Sequence, residues 1–217
     1  MLVPMMLSVA SATAVSYSYR TKASSTANAS SYTFSSLDIN SAAADRHVHV
    51  AVHYGDSSSL PSITSVTIGG ITAVANKTST GSPASLVAIY TAAVPTGTTA
   101  NVVLTLSGSP DQAGVGVWVS YGLSSTAAYA TGNSTADPAT ATIATVNGGF
   151  CIAAITHTIS SAQTVTWTNV TERYDDTIES NAKLFSAADA ATTGANISPS
   201  GDMSGSGGVV GVFVSFG

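Results

Sequence analysis

The chain has 217 residues, of which 8% are charged and 44% hydrophobic, with a formal net charge of −5. That apolar fraction excludes charge-driven disorder, and six scattered Lys and Arg exclude a basic surface for nucleic acid or an anionic membrane. A single cysteine, Cys151, excludes an internal disulfide and a cysteine-based zinc site.

The chain opens on "MLVPMMLSVASATA", an apolar stretch followed by Ala12-Thr13-Ala14. It has the outline of a signal peptide but lacks a positive n-region, and Pro4 interrupts its apolar part. We therefore read residues 1–30 as an N-terminal arm or first strand, and 31–217 as the folded domain. No run approaches the 18 apolar residues of a spanning helix.

Period-two patterning then dominates. "VSYSYR" (15–20), "SYTFSSLDI" (31–39) and "RHVHVAVHY" (46–54) alternate or nearly so. Gly69-Gly70 separates two β-rich runs in "SITSVTIGGITAVA" (62–75), a two-residue hairpin signal. "SLVAIYTA" (85–92) leads to the turn Val94-Pro95-Thr96-Gly97, then come "NVVLTLSG" (101–108) and "GVGVWVSYG" (114–122). The second half continues with "TATIATV" (140–146), a hairpin-type turn at Asn147-Gly148-Gly149, and "FCIAAITH" (150–157). "QTVTWTNVTERYD" (163–175), "AKLFSAA" (182–188) and "GVVGVFVSFG" (208–217) close the chain. "TSTGSP" (78–83), "GNSTADP" (132–138) and "SPSGDMSGSGG" (198–208) read as short loops, and no clean repeat period emerges. Roughly ten to twelve short strands without a helical stripe predict an all-β chain: one antiparallel, jelly-roll-like β-sandwich with the N-terminal arm or extra strand.

Three of the four histidines fall in "RHVHVAVHY". On a strand, Val48, Val50, Val52 and Tyr54 share one face, and His47, His49, Ala51 and His53 share the other. His47 and His49 are spaced to share a zinc ion. His53 lies about 13 Å further along, so a third ligand would come from elsewhere, and His157 is the only other histidine. The reading taken is a core face of valines and an outer face of imidazoles meeting water, a pH-sensitive contact or a subunit interface.

"NVTERYDDTIES" gathers Glu172, Asp175, Asp176 and Glu179 into an acidic turn, four of eleven acidic residues. Weak calcium binding is the chemistry such a turn offers, although the spacing is not that of an EF-hand. A solvated turn or interface is the plainer reading, and a glycosidase pair has no spacing to support it. Cys151 sits in an apolar run and reads as a buried hydrophobe, not a nucleophile. Trp118 and Trp167 read as core. The sequons at Asn28, Asn76, Asn133, Asn169 and Asn196 are what a Ser/Thr-rich chain produces by chance. No catalytic, cofactor-binding or metal-ligating residue is assigned, and the chain reads as non-enzymatic.

Five pieces together carry a resemblance: "YTFSSLDINSAAADR" (32–46), "SITSVTIGGITA" (62–73), "AAVPTGTTANVVLTLSG" (92–108), "GVGVWVSYGL" (115–123) and "WTNVTERYD" (167–175). In order and spacing they resemble a recurring type of bacteriophage and prophage β-sandwich protein, over residues about 30 to 217. The resemblance implies a virion structural protein, most simply a capsid decoration or cement protein, or another surface protein of head or tail. Its partners would be its own copies and other virion proteins, a major capsid or tail protein, with no nucleic acid and no membrane. The alternative is a glycan-binding module, receptor-binding or lectin-like, that takes a host-surface glycan through Tyr121, Tyr129 or Tyr174 beside the acidic segment. A hydrolase using His47 and His49 is the third reading.

Overall fold

The computed structural model describes residues 15–56, 60–81, 84–158, 163–178, 183–205 and 207–217. Every regular element among them is a β-strand, and every pairing is antiparallel. The antiparallel sandwich predicted from the alternation is what the chain forms, and it forms it twice.

The first sandwich pairs a five-stranded sheet with a four-stranded one. The five-stranded sheet has the order β1 (Ser16–Ser25), β9 (Gln112–Tyr121), β3 (His47–Gly55), β7 (Ser85–Ala93), β6 (Val74–Gly81). Its partner has the order β2 (Ser31–Asp38), β8 (Thr99–Leu106), β4 (Ile63–Ile68), β5 (Ile71–Thr72). Between them lies a core of Tyr32, Phe34, Val48, Val50, Val52, Tyr54, Leu104 and their neighbours.

The second sandwich repeats this plan. Its five-stranded sheet has the order β10 (Ala130–Ser134), β17 (Val209–Phe216), β12 (Asn147–Thr158), β15 (Lys183–Thr193), β14 (Thr171–Ile178). Its smaller sheet is β11 (Ala139–Thr140), β16 (Ser200–Met203), β13 (Val165–Thr168). Strand for strand, β1-β9-β3-β7-β6 matches β10-β17-β12-β15-β14, and β2-β8-β4 matches β11-β16-β13. Even a β-bulge recurs, between Ala75 and Lys77 on β6 and between Glu172 and Tyr174 on β14. The fold is an internal duplication.

The two five-stranded sheets pack face to face, so the molecule has four layers with the small sheets outermost. A separate apolar cluster fills this central seam, with Val87, Ile89 and Trp118 from one sheet against Phe150, Ile152, Phe185, Val212 and Phe216 from the other. Across the seam β1 meets β14, β10 meets β6, and β3 meets β12. Because β1 corresponds to β10 and β14 to β6, the halves are related by an approximate twofold axis between β3 and β12. This is the self-complementary geometry of a homodimer interface, here within one chain. A seam packed on both sides also explains why β3 and β12 are buried along nearly their whole length.

Several local expectations change. Gly69 (φ 60°) and Gly70 (φ 80°) do form the two-residue turn between β4 and β5. Gly148 (φ 77°) instead marks a bulge at the start of β12, because β11 and β12 belong to different sheets. The three segments read as loops contribute Thr78–Gly81 to β6, Gly132–Ser134 to β10 and Ser200–Met203 to β16. Ser and Thr read as turn formers in a window, yet they fit an exposed edge or outer strand equally well. Residues 16–25 pair with β9 as the edge strand β1; residues 1–14 lie outside the described residues.

Arg46, just ahead of β3, is fully buried. Its Nε donates to Val94 O (2.7 Å), one terminal nitrogen donates to the carbonyls of Ile39, Asn40 and Gly97, and the other donates to Thr96 O (2.6 Å). The guanidinium thus clasps the turn after β7 to the loop after β2, using a donor fork that lysine lacks. Arg46→Met keeps the stem and removes the fork. Several carbonyls then lose their donors, and thermal melting should show a loss of about 2–3 kcal/mol; a loss under about 0.5 kcal/mol would show the clasp to be incidental.

Candidate functional site

The histidine strand is β3, and its two faces divide as the alternation requires. Val48, Val50, Val52 and Tyr54 enter the first sandwich's core. The imidazole face, expected to meet water or another subunit, is buried in the central seam of the same chain, with His47, His49 and His53 at most 7% exposed. The sequence could not reveal the second sandwich that covers them.

Both ring nitrogens of His49 and of His53 are engaged. Asn76 donates to Thr91 Oγ1 (2.8 Å), which leaves the Thr91 proton for His49 Nδ1 (2.9 Å) and the Nε2 proton for Ser120 Oγ (2.8 Å). Thr156 donates to Leu86 O (3.1 Å), so its oxygen accepts from His53 Nδ1 (3.0 Å), while His53 Nε2 accepts from Tyr174 OH (2.9 Å). The His53 chain crosses the seam three times, once at each of these bonds. Burial holds both imidazoles neutral, with pKa lowered to about 3. Phe150 and Phe216 pack on His49, and Phe185 stacks on His53. These rings are spacers with two satisfied polar ends, and neither offers a nitrogen to a metal ion.

A second knot lies further along the seam. Asp189 on β15 is fully buried. Its Oδ2 accepts from Trp118 Nε1 (2.7 Å) and Arg173 Nε (2.6 Å), and its Oδ1 accepts from the other Arg173 nitrogen (2.7 Å) and from Tyr17 OH (3.3 Å). Arg173 is the bulged residue of β14, and its counterpart on β6, Asn76, reaches Thr91 in the same way. Room for this side of the seam comes from glycine. A Cβ on Gly116 would come within 2.5 Å of the Tyr174 ring, and one on Gly114 within 2.8 Å of Phe185. Lys22 on β1 pairs with Asp176 and lies 5.7 Å above the Tyr174 ring. Sequence reasoning missed Asp189 altogether, since one acid in "SAADAATT" carries no pattern.

The acidic turn is mostly strand β14, which splits its carboxylates. Asp176 faces the seam and Lys22, while Asp175 Oδ2 accepts from Val165 N (2.8 Å) on the outer sheet. Glu179 lies outside the described residues. Among the described residues no three His, Cys, Asp or Glu side chains are grouped to hold a metal ion. Tyr174 is buried on His53, and Tyr121 is half-buried with its hydroxyl on Ser41 O; Tyr129, at 55% exposure, presents its ring to solvent. Trp167 donates to Ser186 Oγ (2.9 Å) and packs on the second sandwich's core. His157, at the end of β12, is buried with no hydrogen-bond partner on either nitrogen among the described residues.

Cys151 is buried in the second core, and burial pushes its thiol pKa up to about 12. A thiolate is the reactive form. A thiol reagent at pH 8 should therefore leave the folded chain unlabelled and modify one thiol per chain in denaturant; rapid labelling of the native chain would contradict this burial.

A cleft of about 360 Å³ lies on the flank of the first sandwich. It opens between β6 and the start of β4 and is lined by Leu60, Pro61, Ile63, Leu86 and the hydroxyl-bearing Thr78, Thr80, Tyr90 and Ser62. Among the described residues no charged side chain lines it. No family model, curated protein or solved structure matches this chain.

Proposed function

We propose that this chain is a non-enzymatic structural protein of a bacteriophage particle, a capsid decoration or other surface protein of head or tail, working by docking and self-association. The observation that carries the reading is what the chemistry-bearing side chains do. His53 and Trp118 are spent on hydrogen bonds across the seam, to Tyr174 and Asp189; Arg173 holds Asp189 in place, and His49 packs on Phe150 and Phe216 of the other half with both nitrogens satisfied in its own. Together these contacts make two sandwiches one block. The outward faces of that block suit contact more than chemistry. Across the small sheet of the first sandwich run Ser31, Thr105 and Ser65 in one row and Thr33, Val103, Thr67 and Thr72 in the next, with no charge in either. Interface centres are depleted of charge in the same way. The resemblance of residues 30 to 217 to phage sandwich proteins points in the same direction.

The test is the copy number of the chain per purified particle, by quantitative mass spectrometry against the major capsid protein. A ratio near one, or a simple fraction, supports a lattice-wide decoration protein. A few copies per particle move it to the tail and favour the glycan-binding alternative, for which Tyr129 is the exposed aromatic. Absence from particles overturns the reading.

A further inference from the structure

The cleft on the first sandwich sits beside a strand edge. β6 ends its sheet, so among the described residues its outward backbone groups have no strand paired beyond them. Such an edge pairs readily with an added extended segment, and pockets beside it select the side chains. The cleft walls are apolar with hydroxyls and no charge, so an ionised side chain entering it would lose water without gaining a partner. The internal duplication supplies a control. The position equivalent to Thr78, one wall of the cleft, is Asp175, two residues beyond the same bulge. There the carboxylate accepts from Val165 N and ties the edge strand β14 across to the outer sheet. In the first sandwich Thr78 stands at this place and lines an opening instead.

We propose that this cleft and the β6 edge receive the apolar segment Met1–Leu7 of a second copy of the chain. Three observations select that occupant. "MLVPMML" has no charged side chain and is almost wholly apolar, which matches the walls of the cleft. Fifteen residues precede β1, and at about 3.3 Å each they reach roughly 50 Å. β1 and β6 are opposite edges of one sheet, so the segment leaves from the flank away from its own cleft. A copy placed alongside offers its β6 flank to that segment. The contact is therefore head-to-tail and continues from copy to copy, closing into a ring or lattice as the rotation dictates. A volume of about 360 Å³ is near the lower end for ligand pockets. It seats two or three aliphatic side chains, with the rest of the segment lying along the edge.

This inference deepens the self-association reading, but its test uses purified chain alone, so its failure would leave the copy-number result untouched. The chain lacking residues 1–14 is prepared, and a labelled peptide of residues 1–12 is titrated into it by fluorescence anisotropy. Sedimentation of the full-length chain is followed over a hundredfold concentration range. Thr80 is exposed at the cleft, so Thr80→Glu introduces a charge there without disturbing the core. The expected results are saturable peptide binding, at least tenfold weaker for Thr80→Glu and retained by Thr80→Val. Full-length chain should self-associate with concentration, and both the truncation and Thr80→Glu should abolish this. Peptide binding indifferent to Thr80→Glu overturns the cleft as the site. A full-length chain monomeric at every concentration, whose own segment blocks the added peptide, overturns the second copy as the donor. A full-length chain that associates equally well without residues 1–14 overturns the segment's role.

Discussion

Asp189→Asn should cost about 3–5 kcal/mol, the loss expected when one partner of a buried ion pair is removed. For a chain of this length that is a melting temperature lower by roughly 8–16 °C. Asp189 is wholly buried, and its two oxygens accept four hydrogen bonds, from Trp118, Tyr17 and both arms of Arg173. Asparagine keeps the volume but replaces one acceptor oxygen by a donor, so an N–H must face another N–H or O–H with no water to relieve it. Arg173 can recover water because a third of its side chain is exposed; the Trp118 indole N–H cannot. Arg173→Gln alone should also destabilise. The double variant should lose less than the two single losses added, with a coupling of at least 1.5 kcal/mol in a double-mutant cycle. A loss below 1 kcal/mol for Asp189→Asn, or strict additivity, would show that hydrophobic burial alone holds this side of the seam.

What the sequence disclosed and what it hid divide along one line. Alternation in "RHVHVAVHY" correctly assigned Val48, Val50, Val52 and Tyr54 to a core, because period two is a property of the strand itself. It could not say what covered the other face. A face of His, Ala and His looks the same whether it meets solvent or a second sheet whose Thr156 and Tyr174 complete its hydrogen bonds. The duplication left an echo, "VGVWVSYG" (115–122) against "VGVFVSFG" (210–217). The echo misleads by one residue. Val117 and Val119 face the outer sheet and Trp118 the seam, whereas Val212 and Val214 face the seam and Phe213 the outer sheet. A one-residue slip exchanges the faces of a strand. The repeat is therefore clear in strand order and in the matched bulges, not in residue-by-residue identity.

Acid should weaken the chain through the seam. Unfolded, an imidazole titrates near 6.5; folded, His49 and His53 stay neutral down to about 3 because protonation would bury a charge among aromatic rings. Above pH 6.5 both states are neutral and the histidines add no pH dependence. Below it the unfolded chain binds protons that the folded chain refuses, so stability falls with pH down to the folded values. Each histidine contributes a slope of about 1.4 kcal/mol per pH unit, and the two together about 2.8. Buried His157 is shifted in the same direction. Asp175 and Glu172, raised by burial, oppose it, but only within the carboxylate range. Against a typical stability of about 5–15 kcal/mol, two to three pH units of this slope bring the native state to its limit near pH 4. Urea midpoints at pH 7, 6 and 5 test this. His53→Gln retains a donor and an acceptor without titrating, so its slope should be shallower than that of the native chain by about 1.4 kcal/mol per pH unit; an equal slope, or a midpoint unchanged from pH 7 to 5, would remove the histidines from the account. The position of these groups also says what gives way first. His49 and His53 lie in the seam and outside both sandwich cores, so protonation acts on the contact between the halves before it acts on either half. Residues 122–129, which join β9 to β10, should then become the preferred site of proteolysis at pH 4.5, yielding two fragments divided at the repeat boundary.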